Sequence, residues 1–437
     1  MSDDALFPDL SPAPPAPCEA PARYETVNRT QIELRPCDLE SVLPPGHAAR
    51  LVWRFVEGLD VSGFYAAIRA REGHPGRSPI DPRILIALWL YATIDGVGSA
   101  REVDRLCEAH DAYRWLRGGV SVNYHTLSDF RVAHQAALDD LLTQSITALV
   151  HGGIVTLARV AHDGTRIRAS AGVGSFRRRD TLEACQTAAR KQVERTARQT
   201  DGEALSREAA AQGRAARARE ARVDEALRQL PAIQAARDRN RERRKRRTEA
   251  RASTTDPDAR VMKLADGGFR PAFNVQFATD MASRVIVGVT VTNVQSDQGS
   301  FTPMLAQVQA RTGRRPAIGV LDAGVNTNAS LTAAAADGVT VYAPVPTRKG
   351  VRDPSARCRD DSDAVAAWRQ RMATDEAKAI YRQRGAVAEW VNADARTHRT
   401  LGRVLVRGLA KVHTWALWGA LAHNMIRAME IVPHTMT

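Results

Sequence analysis

Leu51, Val52, Phe55, Val56 and Leu59 recur on one helical face. They open a stretch, from about Leu39 to Val150, whose apolar positions read as helical throughout. Asp81-Pro82 starts one helix with Pro in its first turn, Gly96 and Gly98 end it, and Ser99 is placed to cap Ala100 to His110. Thr126 or Ser128 can cap a further helix carrying Phe130, Val132, Leu138, Leu141 and Leu142. The period then changes. Val155 to Ile167 reads as two short strands turned at Asp163-Gly164, and strands resume at Phe273 to Phe277 and Val285 to Val291 around a Met281-Ala282-Ser283 turn. A helix from Phe301 to Thr312, a buried-strand run from Ala317 to Asp322, a helix from about Thr327 to Ala336 and a strand from Val339 to Ala343 follow. The last predicted helices cover about Asp375 to Ala395 and His413 to Met429, where Trp415, Trp418, Leu421 and Met425 recur at core spacing.

Between Phe176 and Arg251 large apolar residues are scarce amid Ala, Arg, Glu and Gln. Leu182, Val193, Leu205, Val223, Leu227 and Leu230 are too sparse for a compact core, and suit a helical hairpin or coiled coil broken near Gly202, Gly213 and Pro231. The stretch ends in a basic block, Ala236 to Arg247, that reads either as a solvated helix face or as a contact for DNA phosphates. These shifts divide the chain into a disordered Pro/Ala-rich tail at 1–30, a helical DNA-binding domain at 31–152, a core at 153–172 and 258–432, and a basic helical or coiled-coil insertion at 173–257. With the insertion set aside, the order is three strands, helix, strand, helix, strand, helix, which is the order of a ribonuclease H-like core. The expected fold is therefore α/β, a ribonuclease H-like mixed sheet with flanking helices, plus an all-α N-terminal domain and a helical insertion.

Charge sharpens the picture. The 437 residues carry a net charge of +13, and the pI is about 10.0. Such a surplus points to a polyanionic partner, most often nucleic acid, although a strong bias of Arg over Lys also follows from high-GC coding. Five scattered cysteines, an odd number, argue against a disulfide framework. Cys107 and His110 form a C-x-x-H pair with no second pair at zinc-finger spacing, and read as packing residues. No apolar run reaches the ~18 to 20 residues of a membrane span, and the N-terminus lacks a secretory pattern, so a cytoplasmic protein with no membrane partner is expected.

Two acids close predicted strands, Asp163 and Asp322, and Glu389 lies on the late helix. Cutting and rejoining phosphodiester bonds needs a nucleophilic oxygen, relief of charge in the transition state and a stabilised leaving oxygen. Two Mg²⁺ ions held by carboxylates supply all three. Singly, such an Asp is more often a turn former and such a Glu a solvated side chain; the signal is three acids at the right points of one strand order. His162, on the opposite strand face from Asp163, reads as structural; Asp280, Asn293 and Asp297 read as turn or loop chemistry, with an acid supporting the metal ligands as the alternative for Asp297. Arg101, Arg105, Arg114, Arg117 and Arg131 are candidates for DNA contact, with solvated surface arginines as the plainer reading.

The chain resembles the DDE transposases of bacterial insertion sequences, in the branch with a helical N-terminal domain, a ribonuclease H-like core and a Tyr-Arg-Glu pattern. The resemblance is carried by SPIDPRILIALWLYATIDGVGSAREVDRLCEAHDAYRWLRG and YHTLSDFRVAH, by HDGTRIRAS around Asp163, and by AFNVQFATD and VTNVQSDQGSF. It continues through GVLDAGVNTNASL around Asp322, the late helix with Tyr381, Arg384, Glu389 and Arg396, and the ending that includes Asn424. It implies catalysis and metal binding by Asp163, Asp322 and Glu389 with two Mg²⁺ ions, for which Mn²⁺ can substitute. It further implies that Tyr381, Arg384 and Arg396 hold transposon-end phosphates. The partners implied are double-stranded DNA, both transposon ends and target, and a second copy of the chain on that DNA, at the bacterial nucleoid. The implied function is binding of terminal inverted repeats and Mg-dependent strand cleavage and strand transfer. A nuclease that stops after hydrolysis and an inactive DNA-binding derivative are the rival readings. The chain departs from the family pattern in Val325 after Gly324, where an aromatic is usual, in Arg396 where Lys is usual, and in Trp390-Val391-Asn392-Ala393 after the Glu.

Overall fold

The structure, a computed structural model, describes residues 30, 38–68, 78–198, 207–239, 249–346 and 353–431. The expected tail lies outside the described residues except for Thr30, as do positions 240–247 of the basic block.

Helices α1 (Ala48–Glu57), α2 (Ser62–Ala66), α3 (Pro82–Ile94), α4 (Ala100–Ala109), α5 (Asp111–Arg117), α6 (Tyr124–Ala133) and α7 (Gln135–His151) form the N-terminal part. Their starts follow local chemistry. Asp81 accepts from the Arg83 N–H at 2.8 Å ahead of Pro82, and Ser99 accepts from the Glu102 N–H at 3.4 Å. Helix α6 begins earlier than either predicted cap: Asn123 accepts from the Thr126 N–H at 3.0 Å, so Thr126 is the residue being capped. His110 caps α5 through Nδ1 at 3.2 Å from the Ala112 N–H, and Cys107 is buried, which leaves the C-x-x-H pair to packing.

The mixed sheet is built on β1 (Arg159–Arg168). On one side it pairs antiparallel with β5 (Phe269–Asp280); on the other it pairs parallel with β7 (Ile318–Leu321), which pairs parallel with β8 (Thr340–Tyr342). The far side of β5 takes β4 (Arg260–Lys263) and β6 (Ile286–Thr292), both antiparallel. Strand β1 is continuous, so the expected turn at Asp163-Gly164 is not there. Helices α10 (Phe301–Thr312), α11 (Asn328–Ala336) and α12 (Asp363–Ala373) accompany the second half of the sheet. Helix α12 was not anticipated from the sequence pattern.

The insertion springs from a two-stranded ladder, β2 (Phe176–Arg177) with β3 (Ala252–Ser253), and carries α8 (Arg179–Arg198) and α9 (Arg207–Arg239) as a hairpin. Gln186 Nε2 donates to Asp224 Oδ1 across the pair at 2.6 Å. Gly213 and Pro231 do not break α9 as expected; Gly202 lies outside the described residues. Pro231 removes one backbone donor. Ala226 and Leu230 before it are buried with Leu182, Ala250 and Ala252, and beyond it Gln234 Oε1 accepts from the Ala250 N–H at 2.7 Å, so both sides of the proline are held.

Helix α15 (Leu409–Ile431) joins the two halves. It packs on α3, α6 and α7 and also on β6, with Trp415, Trp418, Leu421 and Met425 buried as their spacing predicts. Asn424 pairs with edge strand β6 as a backbone would, accepting from the Ile286 N–H at 2.8 Å and donating to its carbonyl at 2.7 Å. Arg131 is no surface contact for DNA. Its guanidinium lies 4.1 Å from the Trp89 ring centroid and 3.6 Å from that of Trp415, it donates to the Gly98 carbonyl at 2.7 Å, and burial lowers its pKa to about 9.

The N-terminus of α15 is held by two acids of the segment returning from the insertion. Asp258 Oδ2 accepts from the Leu409 N–H at 2.8 Å, and Asp256 Oδ1 from the Gly408 N–H at 3.2 Å. Burial pushes the Asp256 carboxyl up to about 6, against the pull of the Gly408 hydrogen bond, and its Oδ2 is buried without a partner. Because the folded chain holds this proton more tightly than the unfolded chain, its contribution to stability is complete below about pH 4 and is lost as the pH rises through 6. Asp256→Asn keeps the Oδ1 acceptor without the charge. Denaturant unfolding at acidic and neutral pH should show the wild type losing on the order of 3 kcal/mol relative to this variant across that interval. Parallel pH dependences in the two proteins would remove Asp256 as the cause.

Candidate active site

The last Cα pair between parallel strands β1 and β7 is His162 with Leu321. One residue further, Asp163 and Asp322 stand side by side, Asp163 still within β1 and opposite Phe277, Asp322 where the chain leaves β7. Alternation along β1 sends Asp163 to one face and His162, Gly164 and Arg166 to the other. That second face is packed with polar groups. Asp297 accepts from Asn274 Nδ2 at 2.6 Å and from Arg166 at 2.7 Å, and Gln276 Nε2 donates to it as well. Asp297 is thus a half-buried hub, not merely a loop acid. His162 lies wholly buried against Phe301, ring centroids 5.9 Å apart, and burial lowers its pKa to about 4, in keeping with a structural role. Asp280 does the expected turn chemistry, accepting from the Ser283 N–H at 3.0 Å and its hydroxyl at 2.8 Å.

Glu389 comes from the helical run α13 (Asp375–Arg384), a π-helical segment (Gly385–Glu389) and α14 (Trp390–Thr397). In a regular α-helix, Arg384 and Glu389, five positions apart, would diverge by roughly 140°. The π segment, whose hydrogen bonds span five residues, brings them to one face. Asp394 fastens α14 to the core, 3.0 Å from His423 Nδ1 and 3.1 Å from Arg399 Nε, while His423 Nε2 lies 2.9 Å from the Arg284 carbonyl. Burial raises the Asp394 pKa, but these two partners outweigh it and leave the carboxyl below its usual range.

The acids meet at Arg384. Its Nη1 is 3.1 Å from Asp163 Oδ2, and its Nη2 is 3.5 Å from Glu389 Oε1 and 3.9 Å from Asp322 Oδ1. Asn392 Nδ2 donates to the same Asp163 Oδ2 at 3.1 Å, and Asp163 Oδ1 accepts from the Gly164 N–H at 3.0 Å. Burial raises the Asp163 pKa, opposed chiefly by Arg384. For Arg384, burial is outweighed by Asp163, Tyr381 and Asp322, which keep it more firmly protonated than usual. The oxygens are hard donors suited to a divalent cation such as Mg²⁺. As the side chains stand, they surround a guanidinium, and no group of His, Cys, Asp or Glu among the described residues is arranged to hold an ion directly.

A family model described as Transposase DDE domain matches residues 349–429, and one described as Transposase domain (DUF772) matches residues 37–133. Both matches support a DDE-type transposase of an insertion sequence. Transposases of this type are metal-dependent enzymes that cut and join DNA. No curated protein and no solved structure gives a significant match. The first match spans Arg384, Glu389 and Asn392; neither reaches Asp163 or Asp322. No helix among the described residues is long and apolar enough to cross a membrane.

The remaining expected site residues separate. Tyr381 stays beside Arg384, its ring centroid 5.8 Å from the guanidinium carbon, and burial raises its pKa. Arg396 lines a different cleft, with Gly164, Thr165, Arg166, Lys263 and Gln295. The seven-residue spacing from Glu389, which α14 keeps helical, does not put Arg396 among the side chains around Arg384. Arg105, Arg114 and Arg117 are paired with Glu102, Asp111 and Glu108 on the surface. Sequence reasoning missed Asn392 as a neighbour of Asp163; its only sign was a polar residue in a stretch that the family pattern makes apolar.

Gly164 is required by its surroundings. A Cβ there would meet Gln276 Nε2 at 2.3 Å and Asp297 Oδ1 at 2.7 Å. Gly164→Ala should cost about 1–3 kcal/mol in denaturant unfolding, because the buried network behind the strand must shift. An unchanged unfolding midpoint would show that the network yields freely.

Proposed function

We propose that the transposase binds the terminal inverted repeats of its element and carries out Mg-dependent strand cleavage and strand transfer at Asp163, Asp322 and Glu389. The observation that carries the reading is the convergence of these acids, from distant parts of the chain, on the single guanidinium of Arg384. The order β6-β5-β1-β7-β8, with β5 antiparallel to β1 and β7 and β8 parallel to it, supports a ribonuclease H-like core.

Asp163, Asp322 and Glu389 would hold the metal, which when bound supplies charge relief at the phosphate and an activated oxygen nucleophile. Asn392 fixes the Asp163 carboxylate from α14, so that its orientation does not depend on Arg384 alone. The buried face of β1 and the anchoring of α14 through Asp394 keep the acid positions rigid, which transition-state stabilisation by fixed charges requires. The cleft lined by Lys263 and Arg396 beside Gly164 and Thr165 offers positive charge along which a phosphate backbone can lie. Two copies on DNA would present one such site to each end.

Replacing Asp163 or Asp322 by Asn, or Glu389 by Gln, keeps side-chain volume and removes a ligand charge. Cleavage of an end fragment should fall by orders of magnitude, about 10² or more, while gel-shift binding of the same fragment persists. Near-normal cleavage by Asp322→Asn or Glu389→Gln would refute the carboxylate assignment.

A further inference from the structure

Arg384 was expected to face DNA, yet its side chain is turned inward and only 11% exposed. The guanidinium fork is suited to carboxylates, but here it is shared by three of them at 3.1, 3.5 and 3.9 Å instead of gripping one bidentately. Nη1, buried and nearest Asp163, makes no well-aligned hydrogen bond. This is a held charge with weakly formed bonds. Its position is set by the π segment, without which Arg384 and Glu389 would leave the helix on different sides.

A divalent cation would draw on the same carboxylate oxygens at ~2.0–2.1 Å. A guanidinium within 4 Å of all three acids repels that cation and blocks its approach. The crevice is open on one side, where the Asp322 and Glu389 side chains are 49% and 67% exposed, so Arg384 can swing outward without unfolding the helix. Asp163 keeps a partner when it does, because Asn392 holds Oδ2 and Gly164 holds Oδ1.

We infer that Arg384 is a tethered counter-ion that competes with the divalent metal for Asp163, Asp322 and Glu389, and thereby sets the metal concentration the enzyme needs. The inference rests on the carboxylate reading above, and the test separates the two. Mn²⁺ binding to the full-length protein, without DNA, is measured by electron paramagnetic resonance. Arg384→Gln should bind Mn²⁺ at least about tenfold more tightly than wild type. Arg384→Lys, which keeps the charge without the fork, should fall between and serves if the Gln variant does not fold. Arg396→Gln, removing a charge from the neighbouring cleft, should change affinity less than about threefold. Adding Asp322→Asn to Arg384→Gln should abolish the gain. Equal or weaker Mn²⁺ binding by the Arg384 variants, or an equal gain in Arg396→Gln, overturns the competition. Mn²⁺ binding that ignores Asp322→Asn overturns the carboxylate reading as well.

Discussion

Bringing Asp163, Asp322 and Glu389 into one crevice sets negative charges against each other in a partly dry environment. A positive charge among them relieves that repulsion. In this fold Arg384 provides it, and the surrounding structure follows from delivering those four side chains to one place. Parallel pairing of β1 with β7 puts the two aspartates side by side, because a parallel register advances both strands together. The π segment turns the arginine and the glutamate to the same face of one helix. Asp394, bound by Arg399 and His423, fixes that helix to α15 and so to the core.

Strand β1 serves two faces with opposite demands. Asp163 looks into the acid crevice, while His162, Gly164 and Arg166 look into a polar network centred on Asp297. The network satisfies buried donors from Asn274 and Gln276 and leaves no room for a Cβ at position 164. Glycine here answers a close approach rather than a bend, and so the strand runs straight through an Asp-Gly pair.

The helical part and the sheet are not independent bodies joined by a linker. Helix α15 contributes Trp415 and Trp418 to the side that holds α3, α6 and α7, and Asn424 to the edge of β6. Trp418 Nε1 donates to the Arg131 carbonyl at 3.1 Å, and the Arg131 side chain lies between Trp89 and Trp415. The N-terminal helices and the sheet edge are therefore held in one buried, close-packed body through α15.

Local chemistry alone was enough for many of the elements: the caps at Asp81 and Ser99, the helical stripe of α15 and the strand runs of β5 to β8 depend on neighbours a few residues away. The order of those elements, with acids at particular points, made the transposase reading available from the chain itself. What the chain could not disclose depends on residues far apart in sequence. Asp163-Gly164 spells a turn until Gln276 and Asp297 are seen behind it. Arg131 and Arg384 look like surface cations until Trp89 and Trp415 enclose the first and three carboxylates the second. Pro231 reads as a helix end until packing on both sides holds α9 together. In each case burial and distant charges outweigh a local preference worth about 1–3 kcal/mol, and only the folded chain supplies them.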